Sequence, residues 1–283
     1  MGGPGANFAY VGGDIQQYKK GFEAKTKAAE QSFDELINLI RNIDKGDKSN
    51  YEQMLDKHMM LDHFLKTTAV MLFAGCFDQL TGWNPHNYYL YRNPKTSRWS
   101  YIPWDLDVGF SDHAFGRVPV IDGWNAAWPI PGGSPKPILE NIISNPRLLK
   151  KYRETASIIL GKYFEPKQLH LKIDKLYALI REDLINDPYP AKRITNPRDA
   201  GYDDIILSFK RFIDRRYQLA RQQLDNPGPR PKTNKQNHSQ QHQRPEPGDL
   251  QNGPTDVVII SRTKNSIKLE WKDNAVNEAG HIV

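Results

Sequence analysis

The chain has 283 residues, 38% of them hydrophobic, and a formal charge of +6, with a mean hydropathy of −0.69 and a pI near 9.1. That length allows one large domain or two smaller ones, and no apolar run reaches the length of a membrane span. A single cysteine, Cys76, excludes an internal disulfide and a cysteine-based zinc site, and no stripe of clustered basic and aromatic residues points to nucleic acid.

The opening stretch, Met1 to Tyr10, has neither a basic n-region nor an apolar h-region and does not read as a signal peptide. Ser32 and Glu35 stand at capping-box spacing and predict the start of a helix. Phe33, Leu36, Ile37 and Ile40 then share one face at 3.6-residue spacing, as do Leu61, Phe64, Leu65, Ala69 and Leu72 further on. Both stripes are expected to pack in a core. Two aromatic-rich runs, HNYYLY and RWSYIPW, flank RNPKTS, in which Asn93, Pro94, Thr96 and Ser97 are turn formers. This predicts a β-hairpin with a loop of about six residues.

From Pro137 the pattern is helical again. Ile173, Tyr177, Ile180 and Leu184 form one stripe, and Phe209, Ile213, Tyr217, Ala220 and Leu224 another. Helices, one hairpin and more helices over residues 1–225 give an α+β class, a mostly helical domain with a small antiparallel sheet. Residues 226–253 are rich in Pro, Gln, Asn and Lys, with Leu250 as the one aliphatic residue. Such a segment buries too little apolar area to offset its ordering entropy and reads as a disordered linker. Beyond it, Val257 to Ser261 and Ser266 to Trp271 alternate like strands.

The chemistry-bearing residues gather around the hairpin. Asp105 and Asp107 follow its second strand in the run PWDLDVGF. Two carboxylates so close are costly unless something positive neutralises them, and hard cations such as Mg²⁺ are held by one or two carboxylates plus substrate phosphates. Solvated surface carboxylates are the plainer alternative. Asp78, at the end of the apolar run AVMLFAGCF, and His86 and Asn87, at the start of the hairpin, form a second polar cluster. Antiparallel pairing brings Asn87 near Asp105. An Asp, an amide and a post-strand Asp are the parts of a kinase-type phosphoryl-transfer site, one Asp orienting the attacking hydroxyl and the others holding metal. His86 has the alternative of a strand-end imidazole bonded to backbone. Tyr88, Tyr89 and Tyr91 could line an adenine pocket or pack the hairpin.

At HNYYLYRNPKTSRWSYIPWDLDVGF the sequence resembles the spore coat protein H (CotH) kinase family, and the resemblance extends over residues 1–225 through GGDIQQYKKGFEAKT, FDELINLIRNI and FKRFIDRRYQLA. It implies an atypical kinase-like fold, ATP with Mg²⁺ or Mn²⁺ as cofactors, and transfer of the γ-phosphoryl group to Ser or Thr of secreted or spore-coat proteins. It further implies Asp78 as the catalytic aspartate, Asp105 as the principal metal ligand and Asn87 as the second. Asp107 belongs to the motif as a further metal-binding candidate, and His86 with Asn87 would contact the nucleotide. The resemblance places the protein outside the cell, on its surface or in the spore coat.

Two departures stand out. Ordinary kinases place the metal-binding Asn about five residues after the catalytic Asp, where this chain has Trp83. No stretch ahead of Gly12 could supply the small β-rich lobe with its phosphate-binding Lys, so the chain reads as a helical C-lobe with most of its N-lobe missing. The tail is similar to the opening of a fibronectin type III module, with Trp271 as its core Trp, yet residues 254–283 are too few for the seven strands and roughly 100 residues of such a sandwich. The chain therefore reads as a fragment of a longer protein. Two other readings stay open: a metal-dependent glycosyltransferase, which would need a βαβ series ahead of the D-x-D, and a non-catalytic coat or adhesion protein. Under native conditions a protease should cut first within residues 226–253. Resistance there equal to that of the helical region would show that the segment docks.

Overall fold

The computed structural model describes residues 6–76, 78–82, 85–114, 118–119, 125–129, 135–189, 201–230, 255–263 and 267–272. Two compact units divide the chain, Met1–Thr233 and Asn234–Val283. No helix among the described residues is long and apolar enough to cross a membrane.

The first unit opens with two short helices, α1 (Ile15–Lys19) and α2 (Lys27–Glu30), capped by the side chains of Asp14 and Thr26. Next comes α3 (Phe33–Lys45), which buries Phe33, Leu36, Ile37, Leu39, Ile40 and Ile43. Each such side chain contributes about 1.5–3 kcal/mol when taken out of water. The capping box expected at its start is not formed. Ser32 follows the C-cap residue of α2, Gln31, and its hydroxyl donates back to the Ala28 carbonyl at 2.8 Å. Glu35 instead approaches Arg92 at 4.0 Å. The preceding turn claimed the hydroxyl before the next helix could.

After α4 (Tyr51–His58) comes α5 (Leu61–Ala74), the most buried helix of the unit. The expected residues Leu61, Phe64, Leu65, Ala69 and Leu72 all lie in the core. Strands β1 (Tyr88–Arg92) and β2 (Trp99–Pro103) pair antiparallel, with Tyr88 opposite Pro103 and Arg92 opposite Trp99. The six residues between the strands match the expected loop. Trp99 and Tyr101 face the core, while Tyr89, Tyr91 and Ile102 face outward, as the two-residue period requires. Phe64 packs edge-on against Tyr101, centroids 5.6 Å apart, and so seats the hairpin on α5. A short backbone pair, β3 (His113–Ala114) with β4 (Val118–Pro119), follows.

The remainder is helical: α6 (Pro137–Ser144), α7 (Pro146–Tyr163), α8 (Pro166–Asn186) and α9 (Tyr202–Asp225). Helix α7 packs on α5, α6 and α9, and α9 also reaches α5. The stripe expected on α8 is not a core stripe. No α8 residue is buried, and Ile180 is 46% exposed. Only Leu169 and Ile173 reach the main core, because α8 lies outside α9. The stripe on α9 does reach the core at Ile213 and Ala220, alongside Phe212 and the unexpected Arg216.

In the second unit β5 (Thr255–Arg262) pairs antiparallel with β6 (Ile267–Lys272), with register shifts between Thr255 and Val258 and between Ile259 and Ser261. β5 contains the first strand expected there and β6 the second from Ile267 on, Ser266 lying outside the described residues. Of the expected linker, residues 231–253 lie outside the described residues.

Lys136, at the N-terminal edge of α6, is 3% exposed, and burial brings its ammonium down to about 8, opposed in part by Glu140. The folded protein then loses this proton near pH 8, while the unfolded chain keeps it until about pH 10.4. Between those values the unfolded state binds more protons, so this group adds stability as pH rises. The melting temperature of Lys136→Gln relative to wild type should therefore fall between pH 7 and pH 10. A pH-independent difference would show that Lys136 stays charged.

Candidate active site

The site is assembled where α5 ends and the hairpin begins. Gly75 adopts φ 69°, and its N–H reaches the Leu72 carbonyl while that of Cys76 reaches Met71. A left-handed glycine stop of this kind satisfies two of the orphan carbonyls at a helix C-terminus. The chain is thereby turned toward Asp78. Cys76 is buried, and its thiol is pushed up to about 12 by burial and secondarily by Asp107. It is a structural thiol with little nucleophilic character.

Asp78 meets both residues expected beside it. His86 Nε2 lies 2.9 Å from Asp78 Oδ2, and Asn87 Nδ2 donates to the same oxygen at 3.1 Å. His86 therefore faces a carboxylate. The Asp78 side chain is 22% exposed, enough for a small hydroxyl to reach it. Asn87 itself has φ 54°, a left-handed conformation that Asn tolerates better than most residues.

Across the hairpin end, Trp104 N–H donates to the Asn87 carbonyl at 3.0 Å. Asp105 is the next residue, also left-handed at φ 55°. Asp105 and Asp107 are both exposed. The loop then closes through Gly109 N–H to the Leu106 carbonyl at 3.1 Å and Phe110 N–H to the Ala74 carbonyl at 2.7 Å. Phe110 is left-handed too, at φ 57°. Its ring is held against Phe164, Phe209 and Phe212, with centroids 5.9–6.3 Å away. Asn87, Asp105 and Phe110 are three of the five left-handed non-glycine residues among the described residues.

Among the described residues no group of three or more His, Cys, Asp and Glu could by itself hold a metal ion. The donors do suit a cation delivered with phosphates. Asn87, Asp105 and Asp107 offer hard oxygen ligands, and Mg²⁺ typically takes only one or two carboxylates from the protein.

A cleft of about 1120 Å³ adjoins this cluster, with His86 and Asn87 in its lining. Residues between Gly21 and Leu36 form one wall, in which small side chains alternate with Phe22, Glu23, Lys25, Phe33 and Leu36; the hairpin forms the other, with Tyr89, Tyr91, Ile102 and Trp104 on its outward face. On that face Tyr89 and Trp104 stack at 5.6 Å. Tyr88 also lines the cleft, as does Tyr91, but its ring is anchored from the other side. It stacks within the core on Phe8 and Tyr101, and its hydroxyl donates to the Ala6 carbonyl.

Two residues that sequence reasoning missed support this arrangement. Gln79, fully buried, donates to the carbonyls of Asn87 and Trp104, each at 2.8 Å. Arg216, also buried, donates to the Leu72 carbonyl at 3.0 Å. Burial holds its guanidinium down to about 10, with Tyr152 acting in the opposite sense. Arg216 stands three residues after Ile213 and four before Ala220, so a charge on the apolar face of α9 was a signal. For Gln79 there was none.

The sequence profile of the family described as CotH kinase protein matches residues 5–220, and the chain belongs to that family. It is 26% identical over 194 residues to Inner spore coat protein H of Bacillus subtilis (strain 168), across 65% of this chain and 49% of that protein. The chain thus spans about half the length of the curated relative it matches.

A Cβ placed on Gly109 would lie 3.2 Å from the Ala74 carbonyl oxygen, Cys76 Sγ and the Leu106 carbonyl oxygen. Two of these are backbone atoms that cannot swing aside. Gly109→Ala should therefore destabilise the protein by about 1–3 kcal/mol, read as a lower urea midpoint. An unchanged midpoint would show that the loop gives way freely.

Proposed function

We propose that this chain supplies the helical lobe of an atypical Ser/Thr protein kinase. It would transfer the γ-phosphoryl group of ATP, with Mg²⁺ or Mn²⁺, to secreted or spore-coat proteins outside the cell or in the spore coat. The observation that carries the reading is the convergence of His86 and Asn87 on Asp78 at the hairpin end whose other strand leads into Asp105. Family membership supports it, as does the printed name of the Bacillus relative for the coat location.

In this reading the cleft beside the hairpin receives the nucleotide, with the base against the aromatic face that carries Tyr89 and Trp104. Asn87, Asp105 and Asp107 would hold the metal, which would supply positive charge to offset that developing on the phosphates in the transition state. His86 and Asn87 orient the Asp78 carboxylate through Oδ2. Asp78 accepts the proton of the acceptor hydroxyl as its oxygen attacks the γ-phosphorus and ADP departs. The paired strands β5 and β6 would open a fibronectin type III module beyond the linker.

A non-catalytic coat protein is the second reading, favoured by the relative's printed name alone. The glycosyltransferase reading has no support in the fold, since the three strand pairs among the described residues are antiparallel hairpin-type pairs and not a βαβ series.

Turnover, ATP affinity and melting temperature measured on the full protein test the division of roles. Asp78→Ala should lower turnover by about 10²–10⁴-fold with ATP affinity nearly unchanged. Asp105→Ala should lose turnover and metal-dependent ATP binding together. If Asp78 only closes the turn after α5, its removal would lower the melting temperature and spare turnover. Wild-type protein that transfers no label from γ-labelled ATP with either metal would favour the coat-protein reading.

A further inference from the structure

Gln79 occupies a position that the reaction chemistry does not call for. It is fully buried, adjacent in sequence to Asp78, and every hydrogen-bonding atom of its amide is engaged. The NH₂ group donates to the Asn87 carbonyl and the Trp104 carbonyl, both at 2.8 Å. Its Oε1 accepts from the Tyr101 hydroxyl at 3.0 Å, whose oxygen accepts in turn from the Leu80 N–H at 3.4 Å. The amide orientation follows from chemistry, because two carbonyls can only accept and so must face the nitrogen. Tyr101 is held protonated, since burial pushes its phenol well up, and it remains a donor.

The three tethered points are the three parts of the site. Asp78 precedes Gln79, Asn87 is bonded through its carbonyl, and Trp104 carries Asp105 as its next residue. Asn87 and Asp105 are both left-handed, at φ 54° and 55°, a region open to Asn and Asp but not their default. A fully satisfied buried polar network is the kind of device that specifies one geometry. We propose that Gln79 is a positioning residue, a clamp across the open end of the hairpin that fixes Asn87 and Asp105 relative to Asp78. The proposal rests on the phosphoryl-transfer reading of the site and assigns the control of its spacing to one amide.

Gln79→Met keeps the volume and removes both donors. Gln79→Glu keeps the shape and turns a carboxylate toward two carbonyl oxygens. Tyr101→Phe removes only the hydroxyl that orients the amide. In Gln79→Met and Gln79→Glu, nucleotide affinity without added metal should fall by less than the metal-dependent affinity, because Gln79 reaches the cleft wall only through the carbonyls of Asn87 and Trp104. The Mg²⁺ concentration that half-saturates nucleotide binding should rise about tenfold, the scale of a lost buried hydrogen bond. Turnover should fall by about 10–100-fold at a temperature where each variant is folded, as misplacement by about 1 Å costs. Tyr101→Phe should show a smaller loss in the same direction, and combining it with Gln79→Met should add almost nothing.

The clamp can also be read with neither nucleotide nor metal. Hydrogen exchange at the Trp104 amide should quicken about tenfold in Gln79→Met while α5 amides keep their protection. Unchanged Trp104 protection overturns the proposal, as does a wild-type Mg²⁺ requirement and turnover in both Gln79 variants, or an additive double variant. If wild-type protein shows neither Mg²⁺-dependent nucleotide binding nor label transfer, the phosphoryl-transfer reading itself fails, and the positioning role falls with it.

Discussion

The carbonyl groups at the end of α5 must find partners in a region from which water is excluded, and the rest of the first unit is arranged around that need. Orphan carbonyls at a buried helix C-terminus are costly to leave bare. Leu72 receives the Gly75 N–H and the Arg216 guanidinium, Met71 receives Cys76, and Ala74 receives Phe110. These contacts bind α9 and the loop after β2 to the same helix end. The Asp78 segment leaves from that end, so both carboxylate-bearing segments are referred to a common origin.

The hairpin completes the frame in a second way. Its inward face is committed to packing, with Tyr101 against Phe64 and Trp99 buried beside Met59. The Met60 N–H also donates to the Trp99 carbonyl at 2.8 Å. Its outward face is left apolar and half-exposed along an open cleft. The hairpin thus carries aromatic residues on both faces, one packed in the core and the other along the cleft. The polar network around Gln79 then closes the end of the hairpin that the core leaves unsupported.

Helices α3, α5 and α9 and the hairpin were legible because apolar period and turn chemistry are local properties. Where the reading failed, a non-local competitor decided. Ser32 could cap α3 by spacing alone, but α2 ends two residues before it and its Ala28 carbonyl takes the hydroxyl. Tyr177 and Ile180 have helical spacing suited to a core, yet α8 packs against α9 from outside and leaves them partly in water. At the site, Asp78, His86 and Asn87 could be grouped because they bracket the start of a predictable hairpin, whose pairing in turn set Asn87 near Asp105. Gln79 could not be singled out, since its partners are backbone carbonyls, and a carbonyl carries no residue identity that a sequence could display.

By itself the sequence determined the helical class, the hairpin and its loop, the family signature from His86 to Phe110, and which acidic residues stand near its ends. These follow from periodicity, turn residues and order along the chain, all short-range. Only the tertiary structure decided that Asp78 meets both His86 and Asn87, that Asn87, Asp105 and Phe110 are left-handed, and that a glutamine bonds the Asn87 and Trp104 carbonyls while a buried arginine bonds the end of α5. Those outcomes depend on which buried donors and acceptors meet after the helices pack, and no pattern along the chain records that.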